Sequence, residues 1–217
     1  PKHMVKIPPM LTDTITCGIA SVDKTLFAET GPCPHCGGRP GPYDTKEKHY
    51  ATIWDGDAPR KITVYVRRFR CTSCGALLYA NEPFYPDTRI GSAIVDLAIA
   101  LSLVNTFSHA AELINGMGIE IDRGSVRKYA LSTLPVPAIT FFYGLPLPVS
   151  LFTLTWLAGS LKPGPAHGAE VLASSGFPSA YRTPADLTGT SLARQKQRKE
   201  QKQKEKRESQ HPADDRK

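Results

Sequence analysis

The 217-residue chain is short of the groups that catalysis at a phosphate or an acyl carbon needs. It has no phosphate-cradling loop and no recognisable pairing of nucleophile and base, and after Asp122 the only acids before residue 194 are Glu170 and Asp186. Two-metal phosphoryl chemistry needs several carboxylates placed by regular elements, and no alternating strand and helix pattern surrounds these two. The chain therefore reads as a binding protein and not an enzyme. Cysteine is sparse as well: there are five, an odd number, and no secretory signal at the start. A disulfide framework in an oxidising compartment is disfavoured on both grounds, which points to the cytoplasm.

Charge is missing altogether between Lys128 and Lys162. The apolar run from Ile139 to Ala158 within that gap raises the question of a membrane, but Gly144, Pro146 and Pro148 interrupt it and leave a helix over Val149–Leu161. Thirteen residues at about 1.5 Å each reach about 20 Å, short of a hydrocarbon core of about 30 Å. Two readings stay open for 139–161. It is buried against the helical domain or a protein partner, a second copy included, or it associates with a membrane; the prolines favour burial.

What the chain does have is two matched cysteine pairs, Cys33-Pro34-His35-Cys36-Gly37 and Cys71-Thr72-Ser73-Cys74-Gly75. Two residues between thiols let both sulfurs of one turn reach a single ion, and four thiolates suit Zn2+. A glycine after each second cysteine supplies the positive φ such a turn needs. A redox pair would account for one motif but not for two. Cys17 stands alone and reads as a small buried residue rather than a fifth ligand, and His35 and His49 as surface or hairpin residues. The 34 residues between Cys36 and Cys71 hold two strand-forming runs, Tyr50–Trp54 and Ile62–Val66, separated by turn chemistry at 55–60. The second run leads straight to Cys71, the layout of a zinc ribbon in which metal replaces a core.

Downstream, Asp87 is a candidate N-cap for a buried helix over Thr88–Val104. A second helix starts near Ser108 and stops at Asn115-Gly116-Met117-Gly118. A third follows Asp122, a capping residue flanked by Ile121 and Val126 at hydrophobic-staple positions. Together they read as a helix-turn-helix whose last helix offers Arg123, Ser125, Arg127 and Lys128 to double-stranded DNA. A plain three-helix bundle with a solvated basic face remains open, since residues 86–134 sum to −1. Of the formal net charge of +7, residues 33–75 carry +4 and residues 194–217 carry +5, leaving −2 for the rest. The basic charge thus sits on the ribbon and the tail, and Arg67, Arg68 and Arg70 are candidate contacts to the DNA backbone.

The order of motifs over Cys33 to about Leu134, with Arg67-Arg68-Phe69-Arg70-Cys71-Thr72-Ser73-Cys74-Gly75 and then Phe107 to Tyr129, resembles the N-terminal region of prokaryotic insertion-sequence transposases. The resemblance covers just under half the chain. It implies DNA recognition, usually at element ends, while the carboxylate domain of such enzymes has no counterpart here; a truncated or regulatory relative is the implied role. The expected class is α+β: an extension over 1–30, a zinc ribbon over 31–80, a helical domain over 86–134, the apolar segment 139–161, a Gly/Pro/Ser/Ala-rich linker over 162–193, and a basic tail over 194–217 that is disordered or helical. A zinc-ribbon adaptor that docks a protein or a membrane is the competing function.

Overall fold

A long β-hairpin frames the structure, a computed structural model that describes residues 7–56, 58–160 and 166–176. The tail and most of the linker lie outside these residues. Strands β2 (Pro40–Asp55) and β3 (Ala58–Cys71) run antiparallel along their whole length, turning at Gly56 with φ of 64°. The strand-forming run 50–54 is the turn-side end of β2, and 62–66 is the middle of β3. Residues 40–49, with two Pro, two Lys, one Asp and one Glu, extend β2 because β3 pairs with them across the ladder, an instance of tertiary context outranking propensity.

Two short strands flank β3. Leu26 and Phe27 form β1, parallel to β3 with Leu26 opposite Tyr65, and β4 (Leu77–Tyr79) returns antiparallel with Tyr79 opposite Arg68. Within the expected extension over 1–30, residues 9–20 and 26–27 thus form regular elements of the fold. Helix α1 (Pro9–Ala20) starts on a proline and buries Leu11, Ile15 and Ile19, and β1 buries Phe27.

Helix α2 (Ser92–Ser102) begins four residues later than expected, because Asp87 adopts a φ of 61° and does not cap; Gly91 holds the N-cap position instead. A Cβ on Gly91 would lie 2.1 Å from the Tyr50 ring, and the Gly91 amide donates to the Tyr50 carbonyl at 2.7 Å. Only glycine lets α2 start against that buried ring. Helix α3 (Phe107–Gly116) is capped by Thr106, and α4 (Arg123–Ala130) by Asp122, whose carboxylate accepts from the Ser125 amide at 2.9 Å.

The connection between α3 and α4 is pinned to the hairpin. Gly118 takes a φ of 82°, Ile119 forms a β-bridge with Ile53, the Trp54 amide donates to Gly118 at 2.8 Å, and the Glu120 amide donates to Thr52 at 2.9 Å. Ile53, Tyr50, Val64, Leu97, Ile114 and Ile119 consequently belong to one continuous core. Hairpin and helices share that core instead of forming the two separate units over 31–80 and 86–134.

The uncharged segment folds as a second hairpin and a helix. Strands β5 (Ile139–Phe142) and β6 (Leu145–Pro148) turn at Tyr143 and Gly144, both at positive φ, and lead into α5 (Val149–Ser160). Leu147, Leu151 and Leu154 are buried against α2 and α1. A Cβ on Gly18 of α1 would lie 2.8 Å from Thr155 Oγ1, so the two helices cross closely. Buried Asp96 of α2 accepts from Tyr85 at 2.7 Å and from Ser150 at 2.6 Å, which ties the start of α5 to the core. Among the described residues no helix is long and apolar enough to cross a membrane. The expected linker contains α6 (Gly168–Ser174), which buries Val171 and Leu172 beside β1; seven residues are too few to show a helical period in the sequence.

Candidate metal centre

The four thiols that could hold a metal ion come from two turns built alike. In the first, the Gly37 amide donates to the Cys33 carbonyl at 2.8 Å and the Cys33 amide to Gly38 at 2.9 Å; in the second, Gly75 donates to Cys71 at 3.0 Å and Cys71 to Ala76 at 2.9 Å. Gly37 and Gly75 have φ of 68° and 72°, the left-handed conformation that the motif's glycines anticipate. The two turns meet because β2 leaves the first and β3 enters the second, with Pro40 opposite Cys71. Thr72 seals the junction by donating its amide and hydroxyl to the Arg39 carbonyl at 3.1 and 3.0 Å. A Cβ on Gly38 would lie 2.6 Å from Ser73 Oγ and 3.0 Å from Cys71 Sγ, so this glycine is needed for the approach.

The sulfurs of Cys33, Cys36, Cys71 and Cys74 all lie within 4.8 Å of one another. Cys33 is 3.6 Å from Cys74 and Cys36 is 3.4 Å from Cys71. A tetrahedral thiolate site with bonds of about 2.3 Å has edges of about 3.8 Å, so the four donors fit one metal ion. No disulfide joins them. Cys33 and Cys71 are buried while Cys36 and Cys74 face outward.

Their electrostatics are in conflict without a cation. The Cys74 amide, aided by that of Ser73, draws the Cys71 thiol down to about 6. The Gly38 amide pulls Cys36 the same way, but the sulfurs of Cys71, Cys74 and Cys33 together with desolvation push it up to about 12. Cys74 is raised too, desolvation and the sulfurs of Cys33 and Cys71 outweighing the Ala76 amide and Cys36. One thiolate forms at the expense of its neighbours; a divalent ion among them lets all four ionise.

Cys17 lies outside the cluster, on α1, and is exposed rather than buried: its side chain falls on the face opposite Leu11, Ile15 and Ile19. His35 is exposed in the first turn and takes no place among the grouped ligands, and His49 bonds Thr52 across the surface at 3.1 Å.

The candidate DNA residues fall at two ends of the hairpin. Arg123, Arg127 and Lys128 are exposed on α4, while Val126 and Tyr129 turn inward. Ser125 is half-buried and its hydroxyl is held by Asp122 at 2.6 Å. Lys128 donates to the Asp87 carbonyl at 3.4 Å. Arg67, Arg68 and Arg70 lie at the metal end; Arg68 is clamped by Asp44 and Arg70 donates to the Gly75 carbonyl at 3.3 Å. From Arg60, opposite Ile53 and hence beside the α3–α4 connection, to Arg70 is ten residues, about 33 Å at 3.3 Å each. The structure does not bring the two sets together. Sequence reasoning missed Tyr43, Asp44 and Tyr79 around Arg68, which only the strand register places there.

No protein-family model, no curated protein and no solved structure matches the chain.

Proposed function

We infer that the protein is a zinc-stabilised module that binds double-stranded DNA, a relative of transposase N-terminal regions without strand-transfer chemistry of its own. Zinc is the ion that four thiolates on two tight turns suit best, and its role is to order the end of the hairpin. The observation that carries the DNA reading is the split of α4. Its inner positions Val126 and Tyr129 are buried, its N-terminus is fixed by Asp122, and its outer positions Arg123, Gly124, Arg127 and Lys128 are exposed. A short helix held this way presents base-reading and phosphate-binding side chains on rigid backbone.

The test is duplex binding by the full chain across a salt series. Arg127→Ala with Lys128→Ala should weaken it at least tenfold and reduce the salt slope by about one to two. Unchanged affinity and slope would remove α4 from the interface.

A second reading rests on a different surface. Val136, Phe141, Tyr143 and Trp156 are 63%, 66%, 55% and 75% exposed, with no charge among them, which favours an adaptor that docks a protein through the β5–β6 hairpin and α5. Salt-independent binding to a protein partner with no affinity for duplex would select it.

A further inference from the structure

At the metal end, one face of the sheet alternates aromatic rings with guanidinium groups, and duplex recognition by α4 leaves this face unused. The ladder sets Tyr79 and Asp44 on either side of Arg68. Between Pro42 and Asp44 the register shifts by one residue, and Tyr43 is the extra one. Its ring centroid lies 5.8 Å from the guanidinium carbons of both Arg68 and Arg70, and Arg68 is 5.9 Å from the Tyr79 ring. Asp44 grips Arg68 through Nε and Nη2, and the Gly75 carbonyl accepts from Arg70. The order Tyr79, Arg68, Tyr43, Arg70 is thus fixed by the protein before any ligand arrives. Tyr43 is nevertheless 56% exposed.

Burial does not explain a ring so exposed, and charge shows what it suits. Residues 39–48 and 67–79 contain six basic side chains and two acids. Among the described residues Asp44 matches Arg68 and Glu82 matches Lys48, which leaves Arg39, Lys46, Arg67 and Arg70 against Glu47 there. The net −2 of a divalent ion on four thiolates reduces this surplus but does not reverse it. A duplex hides the faces of its bases in the stack, whereas an unpaired strand offers a base face and a phosphate together. Exposed aromatic rings flanked by cations bind that combination.

The geometry points to a single-stranded nucleic-acid platform at the metal end, with Tyr43 stacking a base and Arg70 and Arg39 taking the adjoining phosphates. The platform is separate from α4, so it stands or falls independently of the duplex reading.

A labelled oligothymidylate of about 15 nucleotides, titrated with the metal-loaded full chain at about 50 and 200 mM salt, tests it. Tyr43→Ala should weaken binding about tenfold or more with metal content unchanged, and Tyr43→Phe should bind as the unaltered protein does. Arg70→Gln should lower affinity and reduce the salt slope by about one. The Arg127→Ala, Lys128→Ala variant should bind the oligonucleotide normally. Absence of binding by the unaltered chain, equal affinity of Tyr43→Ala, or a loss in the α4 variant as large as that in Tyr43→Ala would each overturn the platform. So would an equal loss of duplex binding in Tyr43→Ala, which would make the face a contact for duplex backbone.

Discussion

The two ends of the β2–β3 hairpin are ordered by different physics. At the tip, Tyr50, Ile53 and Ile62 are buried under α2 and the α3–α4 connection, and hydrogen bonds from Trp54 and Glu120 stitch that connection to β2. At the other end Tyr43, Arg70 and Leu77 are exposed, and the two cysteine turns are held mainly by each other. Burial under the helices sustains the first end; at the second, Phe69 and Leu78 mark only the border of the core, and four thiols are grouped where they could hold a metal ion. One strand pair can therefore carry two surfaces whose stabilities respond to different insults.

Removing the metal should produce the largest effect and the most uneven one. Structural zinc in small domains contributes about 10–16 kcal/mol of apparent binding free energy, most of it spent on folding the segment that holds it. Cys71→Ser, or chelation of the unaltered protein, should abolish stoichiometric metal and expose the amides of residues 33–38 and 71–76 to rapid hydrogen exchange. The amides of α2 and of the central strands should stay protected, because their burial does not pass through the cluster. Uniform loss of protection across both ends would merge the two halves of the comparison into one cooperative unit.

This contrast also marks what a sequence can reveal. The metal end was legible because its signals are local: two cysteines three apart, then a glycine with no side chain to resist a positive φ. The Asp122 cap was legible for the same reason. What holds the tip was not, since Ile119 looks like any residue of a turn until it pairs with Ile53 from 66 positions earlier. Helix α1, strand β1 and helix α6 were invisible as core elements because their few apolar positions acquire meaning only against α5 and β3. Residues 40–49 dilute the strand formers Tyr43 and Thr45 with Pro, Gly, Asp, Lys and Glu, and are strand because β3 continues past Val66 to pair with them. Even Asp87, a good cap by type, adopts a φ of 61° and leaves the N-cap position to Gly91, where a Cβ would lie 2.1 Å from the buried ring of Tyr50.

The converse lesion strikes the tip. Ile119 is 1% exposed, and Ile119→Ala should cost about 2–5 kcal/mol of stability, with the spread set by how far the surrounding core closes over the space. Metal stoichiometry should stay at one, since no ligand rests on Ile119. Denaturant unfolding followed by metal release would show the midpoint falling while the metal remains bound until the transition. Metal lost before unfolding would mean that the tip supports the cysteine turns through the strands.

The smallest expected effect sharpens the comparison at α4, which belongs to the tip but carries the proposed duplex contacts. Asp122 accepts from the Ser125 amide at 2.9 Å and from its hydroxyl at 2.6 Å, and these bonds, the hydroxyl's first, hold its carboxyl below the usual carboxylate range. A lowered pKa means that the folded state prefers the ionised form, so the contribution is present above the ordinary value of about 3.9 and is lost as pH falls through the depressed one. Asp122→Ala should destabilise the protein by about 1 kcal/mol at neutral pH, the usual scale of a lost N-cap. Asp122→Asn should recover most of that, because an amide oxygen caps the Ser125 amide equally well, and it also removes a negative charge next to Arg123. If α4 faces duplex, the asparagine variant should bind it more tightly than the unaltered chain while the alanine variant gains less, its helix start being frayed. Equal stability of all three proteins would deny the cap its role, and tighter duplex binding by alanine than by asparagine would show that charge alone, without an ordered helix start, governs this end.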